Sequence, residues 1–365
     1  MVVGPFSETA GGVLTFQKNL MQRSDLKERW DFVPFSTSRP AKQTTSDNYS
    51  YGALFNSGLK RTAVGLGITA WHLSAFPVAL KRHRTDLVQI QSSDFYNFWE
   101  SMIYIAQASL LKVPTVIRFG GDFEHFFNAS GPKAQRLIVE LLQTPTAIVV
   151  QSQGWKDYFS QHTDAHRLHI VGNAVPHPKS LPIRNNDGVV KILFICTSDA
   201  TRKGVDAVLA IAPRLRNQAQ LVFVAAGGEV QERVVKLGLQ DIITHHPVVD
   251  RVKMAELYEE NDVLLMPSLS EGFPNTMLEG MAAGMAYVGS PVGAVSEVIE
   301  EGVNGFLHAP DDIDGLTDSL VALVKNPELR SKMGANNHAK ICSEYELNTM
   351  FKRFDRIWND VIMSR

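Results

Sequence analysis

Short apolar runs alternate with longer helical patterns through the second half of this chain, and that alternation limits its fold more than any other feature. The runs are residues 191–196, 220–225, 241–244, 263–266 and 286–289. Each is strand-length, and each interval between them carries helical spacing. Strands that alternate with helices form parallel sheets covered on both faces. The first half repeats the scheme less cleanly. Strands are expected at 1–4, 86–91, 114–118 and 147–151, and helices after Gly11-Gly12 through Leu20 and over 98–111. Residues 31–57 are polar and irregular and are expected to form a loop.

A chain of 365 residues has room for two such domains. The first is expected over 1–175, ending in the strand-like stretch 168–175. Residues 177–189 have linker character, with Pro178, Pro182, Asn185, Asn186 and Gly188. The second domain is expected over 176–347. A last helix over 348–365 carries Met350, Phe351, Phe354, Trp358 and Ile362 at helical spacing, which reads as a core-facing stripe. The fold class is therefore α/β, with two Rossmann-like domains across a cleft. Ligands in such sheets bind beyond the carboxyl ends of the strands.

Charge excludes a bulk polyanion partner, so no nucleic acid is expected. The net charge is −2, although residues 1–175 hold 17 Lys and Arg against 13 Asp and Glu. A mildly basic first half suits an anionic acceptor or a membrane surface as well as it suits scatter. Cys196 and Cys342 fall in an expected strand and an expected helix, and neither shows metal spacing, so free thiols in a reducing cytoplasm are expected. Met1 leads directly into a strand, and no signal peptide is read. Residues 63–80 lack Asp, Glu, Lys and Arg and precede Lys81-Arg82-His83-Arg84. Gly65, Gly67, Thr69, His72, Ser74 and Pro77 argue for a packed helix there. Trp71 and the basic cluster would suit an interfacial pose if it met a membrane.

The most informative motif spans residues 267–284. It follows the strand 263–266 and places Glu271 and Glu279 eight positions apart around Gly272-Phe273-Pro274. Pro274 suits the first position of a helix. Met277, Leu278 and Met281 are spaced for burial. A strand, a glycine turn and a helix N-terminus make an anion site, because free N–H groups and the helix dipole point the same way. Neither carboxylate would attract phosphate, so both are expected to accept from hydroxyl groups. A sugar nucleotide carries both kinds of group.

With Gly289-Ser290-Pro291-Val292-Gly293-Ala294-Val295-Ser296-Glu297-Val298-Ile299 and Gly302-Val303-Asn304-Gly305-Phe306-Leu307, this motif resembles the retaining GT-B glycosyltransferases of family 4. The resemblance is strong over about 190–345 and weaker over 1–175. It implies a final helix that crosses back onto the first domain. It also implies a metal-independent enzyme with no required cofactor, whose donor is a UDP- or GDP-linked sugar. The acceptor would be a glycan or lipid-linked hydroxyl in polysaccharide or glycolipid biosynthesis. The implied setting is the cytoplasm, with peripheral contact at the inner membrane face through the first domain as an open alternative.

Residue by residue, the resemblance places Lys203 on the donor phosphates, with Arg202 beside it in Thr201-Arg202-Lys203-Gly204. The family's preceding Arg is replaced by Thr197 or Ser198. Gly11 and Gly12 match the first-domain glycine loop. Glu271 would hold sugar hydroxyls, Gly272 and Phe273 would offer N–H groups to sugar and phosphate, and Pro274, Asn275 and Thr276 continue that rim. Glu279 would accept from the ribose hydroxyls, as a carboxylate suits a vicinal diol. His246-Pro247-Val248 resembles the base-binding loop. In Val116-Ile117-Arg118-Phe119-Gly120-Gly121-Asp122, Phe119 stands where the family often has His. Asp122 is then the group expected to contact acceptor or sugar, and Arg118 is either structural or a partner for an anionic acceptor. His125 is read as incidental.

Two other motifs are set aside. Asp312-Ile313-Asp314 has the metal-binding Asp-x-Asp form but opens an expected helix, where acidic residues belong for dipole reasons. Gly65-Leu66-Gly67-Ile68-Thr69-Ala70 loosely resembles a dinucleotide fingerprint but lacks a preceding strand. The rivals kept are a nucleotide-sugar epimerase and a catalytically silent nucleotide-sugar binder.

Overall fold

The structure is a computed structural model. It describes all residues except 5, 7–15, 18, 22, 23, 38–58, 94, 122, 179, 183–187, 198, 226, 227 and 365. The chain divides into two compact units, Met1–Gly172 with Phe351–Arg365, and Asn173–Met350.

Among the described residues the first unit holds six parallel strands: β1 (Val2–Gly4), β2 (Pro34–Ser36), β3 (Val88–Ser92), β4 (Thr115–Phe119), β5 (Ala147–Val150) and β6 (Leu168–Ile170). Their order is β2-β1-β3-β4-β5-β6. The expected loop over 31–57 thus contains a strand. β2 is only three residues long, begins with Pro34 and has no apolar period, so nothing in the sequence marks it. A proline is tolerated there because β2 is the edge of the sheet.

The Leu59–Arg82 helix packs on the sheet, as expected for residues 63–80. Phe76 and Leu80 are buried in the same core as Phe98, Ile105 and Ile117. Among the described residues no helix is long and apolar enough to cross a membrane. Residues Phe351–Arg365 complete this unit. The Leu347–Met363 helix buries Phe351, Phe354, Ile357, Trp358 and Val361, while Ile362 is only half-buried. Trp358 Nε1 donates to Gln89 Oε1 at 2.9 Å, which satisfies two buried polar groups at once.

The second unit holds β7 (Val190–Cys196), β8 (Ala219–Ala225), β9 (Ile243–His246), β10 (Val263–Met266), β11 (Ala286–Gly289) and β12 (Gly305–Leu307), all parallel, in the order β12-β11-β10-β7-β8-β9. Alternate residues go to opposite faces. Ile192, Phe194, Leu221, Phe223, Val263 and Leu265 join one core, and Leu193, Val222, Val224, Leu264 and Met266 join the other. Both faces are dry, so these strands read as continuous apolar runs. The direction of strand addition reverses between β7 and β10, which lie side by side. That reversal leaves a crevice beyond the carboxyl ends of these two strands.

Candidate functional site

The two segments that leave β7 and β10 meet at this switch point. After Cys196 the chain turns through Asp199, whose Oδ1 accepts from the Arg202 N–H at 3.1 Å. Gly204 then caps the Val205–Ile211 helix with φ of +79°. A Cβ on Gly204 would lie 2.0 Å from the Pro267 carbonyl oxygen, so only glycine allows the two segments to approach this closely. The Leu269 N–H donates to the Arg202 carbonyl at 2.8 Å, which stitches them together.

That contact brings the expected residues into one cluster. Lys203 Nζ lies 2.6 Å from Glu271 Oε1, and an Arg202 guanidinium nitrogen lies 3.6 Å from Glu271 Oε2. Arg202 also donates to the Ser270 carbonyl at 2.8 Å, and Ser268 Oγ donates to Glu271 at 2.8 Å. The Glu271 side chain is only 8% exposed, yet it is fully paired. Buried ions persist when paired in this way.

The turn itself is fixed from two sides. Gly293, at φ of +56°, would place a Cβ 2.0 Å from the Glu271 carbonyl oxygen, and the Ala294 N–H donates to the Gly272 carbonyl at 2.9 Å. Asn173 Nδ2 donates to the Phe273 carbonyl at 2.8 Å, and the Phe273 ring packs 5.8 Å from Tyr345. Pro274 is the cap residue of the Asn275–Ala282 helix, one position earlier than expected.

One turn into that helix, Glu279 sits in a different environment. Burial pushes its carboxyl up from the ordinary range, while a hydrogen bond from Tyr258 and the charge of Arg251 pull it back. Tyr258 Oη donates to Glu279 Oε2 at 2.8 Å. Burial likewise pushes the Tyr258 phenol up, and the Glu279 charge adds to the rise. Tyr287, on β11, is a second buried phenol near the cluster. Among the described residues its hydroxyl has no hydrogen-bond partner, and burial followed by the charge of Glu271 pushes it up. The Ser290 hydroxyl is also buried and, among the described residues, without a partner. Val248 is exposed, two residues beyond the end of β9.

The remaining expected residues fall elsewhere. Gly11, Gly12, Asp122 and Ser198 lie outside the described residues. Phe119 is 4% exposed and belongs to an aromatic core, with its ring 5.1 Å from Phe159 and 5.3 Å from Phe123. Arg118 is buried, with its guanidinium 5.1 Å over the Phe16 ring, and burial lowers its pKa to about 10. Asp312 caps the Ile313–Lys325 helix by accepting from the Gly315 N–H at 2.9 Å, as its position in sequence suggests.

One expectation is corrected. Cys342 does stand in metal spacing, four residues after His338 on the Pro327–Glu344 helix. With His177 these residues bring three ligand atoms within 4.8 Å of one another. The cysteines' separation from each other hides this, because the partners are histidines and one comes from the linker.

Sequence reasoning also missed Tyr258, Ser268, Asn173 and Tyr287. Ser268 had a signal, three residues before Glu271. The others reach the site from separate elements.

Comparison with known proteins follows the same outline. Residues 189–326 match the family described as Glycosyl transferases group 1. The chain is 30% identical over 133 residues to N-acetyl-alpha-D-glucosaminyl L-malate synthase of Bacillus anthracis, covering 36% of this chain and 32% of that protein. It is 29% identical over 209 residues to MMP alpha-(1->4)-mannosyltransferase of Mycolicibacterium hassiacum, covering 54% and 50%. The matched stretch thus spans half or less of the length of these relatives. Among solved structures, sucrose-phosphate synthase from Thermosynechococcus elongatus aligns with a TM-score of 0.75 at 15% identity, over 100% of both chains. HepE of Anabaena, solved with UDP, aligns with a TM-score of 0.73 at 15% identity, over 98% of this chain and 99% of that one. The fold is that of the GT-B glycosyltransferases, two parallel six-stranded Rossmann-like units.

Proposed function

We propose that this chain is a retaining glycosyltransferase that moves a sugar from a UDP- or GDP-linked donor to a hydroxyl of a glycan or lipid-linked acceptor. The observation that carries the reading is the paired cluster of Arg202, Lys203 and Glu271 at the switch point of the second sheet, with Glu279 one helical turn further in. The relatives named as a mannosyltransferase and an N-acetyl-alpha-D-glucosaminyl L-malate synthase, and a neighbour solved with UDP and with UDP-glucose, support it.

In this reading the donor diphosphate takes over Lys203 and Arg202. Glu271, its counter-ions shared with phosphate, then accepts from hydroxyls of the transferred sugar. Glu279, already held by Tyr258, accepts from the ribose diol, and the turn at Gly272 and Phe273 offers N–H groups. The bond between the anomeric carbon and the diphosphate breaks. The acceptor oxygen bonds the same face of that carbon, and its proton passes to the departing phosphate. No protein base is needed, which accommodates Phe119 in the core. Most of the acceleration then comes from placement and from cations aimed at developing charge. The reaction requires no metal; in this reading Gly11 and Gly12 serve the donor phosphates or sugar, and Asp122 the acceptor or a sugar hydroxyl.

The first test is thermal unfolding with UDP, GDP, ADP and their common sugars, alongside Glu279→Ala. A ligand at 100 times its Kd adds about 2.7 kcal/mol. A shift with one nucleotide series, absent in the variant, is the expected result. No shift with any nucleotide in a folded protein would remove the donor reading. The buried Phe119 favours a second reading, a nucleotide-sugar binder without turnover. It would show the shift but release neither free sugar nor glycoside.

A further inference from the structure

We propose that His177, His338 and Cys342 form a binding site for a single zinc-class transition-metal ion, within the second unit and independent of the donor reading. Three observations converge on it. First, the donor set is right: two imidazoles and a thiol are the ligands that a borderline-soft ion prefers. Second, the spacing is right. Cys342 Sγ lies 3.6 Å from His177 Nδ1 and 3.5 Å from His338 Nε2. For a zinc–sulfur bond of about 2.3 Å and a zinc–nitrogen bond of about 2.05 Å, a tetrahedral angle puts S and N about 3.6 Å apart. Third, one ligand is already oriented. His338 Nδ1 lies 2.8 Å from the Ala282 carbonyl, so that nitrogen carries the proton and donates, and Nε2 presents its lone pair to the cysteine. An outer hydrogen bond of this kind fixes the tautomer of metal-binding histidines.

All three residues are half-buried, so solvent, and an ion with it, reaches the cluster. His338 and Cys342 stand one turn apart on one helix, which fixes two ligands rigidly. His177 lies on the chain that enters this unit, two residues after the Val175 bridge to Glu346. Its Nδ1 also lies 3.1 Å from the Pro178 carbonyl. Coordination places the His177 proton on Nε2 and gives up that contact. The thiol proton is released to solvent, and water takes the fourth position. Without metal the same triad is satisfied by hydrogen bonds, with the thiol donating to His338 and His177 donating to Pro178.

The ion would tie the entering chain to the Pro327–Glu344 helix and, through His338, to the end of the Asn275–Ala282 helix. Asn173, four residues before His177, donates to Phe273 in the site turn. A metal here therefore acts as a local clamp on the segment that supports that turn.

The test uses the full chain, reduced and stripped with chelator, then titrated with Co2+ and with Zn2+. Expected are one Co2+ per chain, a thiolate-to-cobalt charge-transfer band, and displacement of that band by one equivalent of Zn2+. Cys342→Ser should abolish the band, and His177→Gln should weaken binding on the order of tenfold or more. His83→Gln, at an exposed histidine, should change nothing. Wild type and variants should melt alike in chelator, and only wild type should gain stability with Zn2+. A cobalt spectrum without the thiolate band would overturn the site. So would equal Zn2+ affinity in wild type, Cys342→Ser and His177→Gln. If Cys342→Ser does not fold, His177→Gln decides alone, because its segment is a surface connection.

Discussion

The two sheets share a parallel architecture but neither a strand order nor a chemistry. Each is six-stranded and parallel, and each reverses its strand order once, between β1 and β3 in the first unit and between β7 and β10 in the second. Beyond the second reversal stand a lysine, an arginine and a glutamate bound to one another. In the first, β4, next to β3, ends in Phe119, which turns into an aromatic core. The fold therefore supplies the place, and the side chains supply the function. A similar contrast holds inside the second site. Glu271 and Glu279 are eight residues apart, yet one is neutralised by two cations and the other is buried beside a neutral phenol.

Breaking the charged cluster should have the largest effect. Lys203→Ala removes the closer cation from a buried carboxylate. Turnover of the donor should fall by roughly a hundredfold or more, the loss seen when one aimed electrostatic group is deleted. Stability should fall by roughly 2–3 kcal/mol in urea unfolding, as buried pairs lose one partner. Turnover within a few-fold of wild type would mean that Lys203 faces no phosphate.

Next is the close approach that builds the cluster. Gly204→Ala forces a side chain into the left-handed region and against the Pro267 carbonyl. Its cost should be about 2–4 kcal/mol, read from the shift of the denaturation midpoint. A neutral result would show that the two segments can separate freely.

Phe119→His sharpens the contrast between the units. The ring is buried among Phe98, Phe123 and Phe159, so an imidazole there should cost roughly 2 kcal/mol and bring no gain in turnover. Higher turnover in the variant would place this position in the active site after all.

Glu279→Gln has the smallest effect on stability, and it depends on pH. Burial raises the folded carboxyl above its ordinary value of 4.5. The stability that Glu279 contributes is thus full below 4.5, where both states are protonated, and is lost as pH rises through the raised folded value. Glutamine avoids that loss, so the variant should be slightly more stable than wild type at neutral pH. The gain should vanish as pH falls toward 4.5, while nucleotide affinity drops at neutral pH. A constant difference across pH would contradict a raised carboxyl.

Much of the second unit was legible because its signals are continuous in sequence. β10, the turn and the following helix lie within about twenty residues, and strand period, turn glycine and helical spacing can be read in order. Lys203 and Glu271 were each legible as a residue following a strand, but their ion pair was not, because only the sheet order shows that β7 and β10 are neighbours. Tyr258 and Asn173 were not legible, since each reaches the site from an element whose register only the packed sheet fixes. The His177–His338–Cys342 cluster was half legible: a histidine and a cysteine four apart share a helix face, but the third member sits in a stretch that reads as linker. β2 was hidden because three residues opened by a proline carry no period.

The central claim is that the switch point of the second sheet binds a nucleotide sugar through Lys203 and Glu279. Titration calorimetry of UDP and GDP into wild type, Lys203→Ala and Glu279→Ala tests it most directly. The account predicts binding of one nucleotide by wild type, weakened on the order of tenfold or more in each variant. Equal affinity in all three folded proteins, or no binding by wild type, would contradict it.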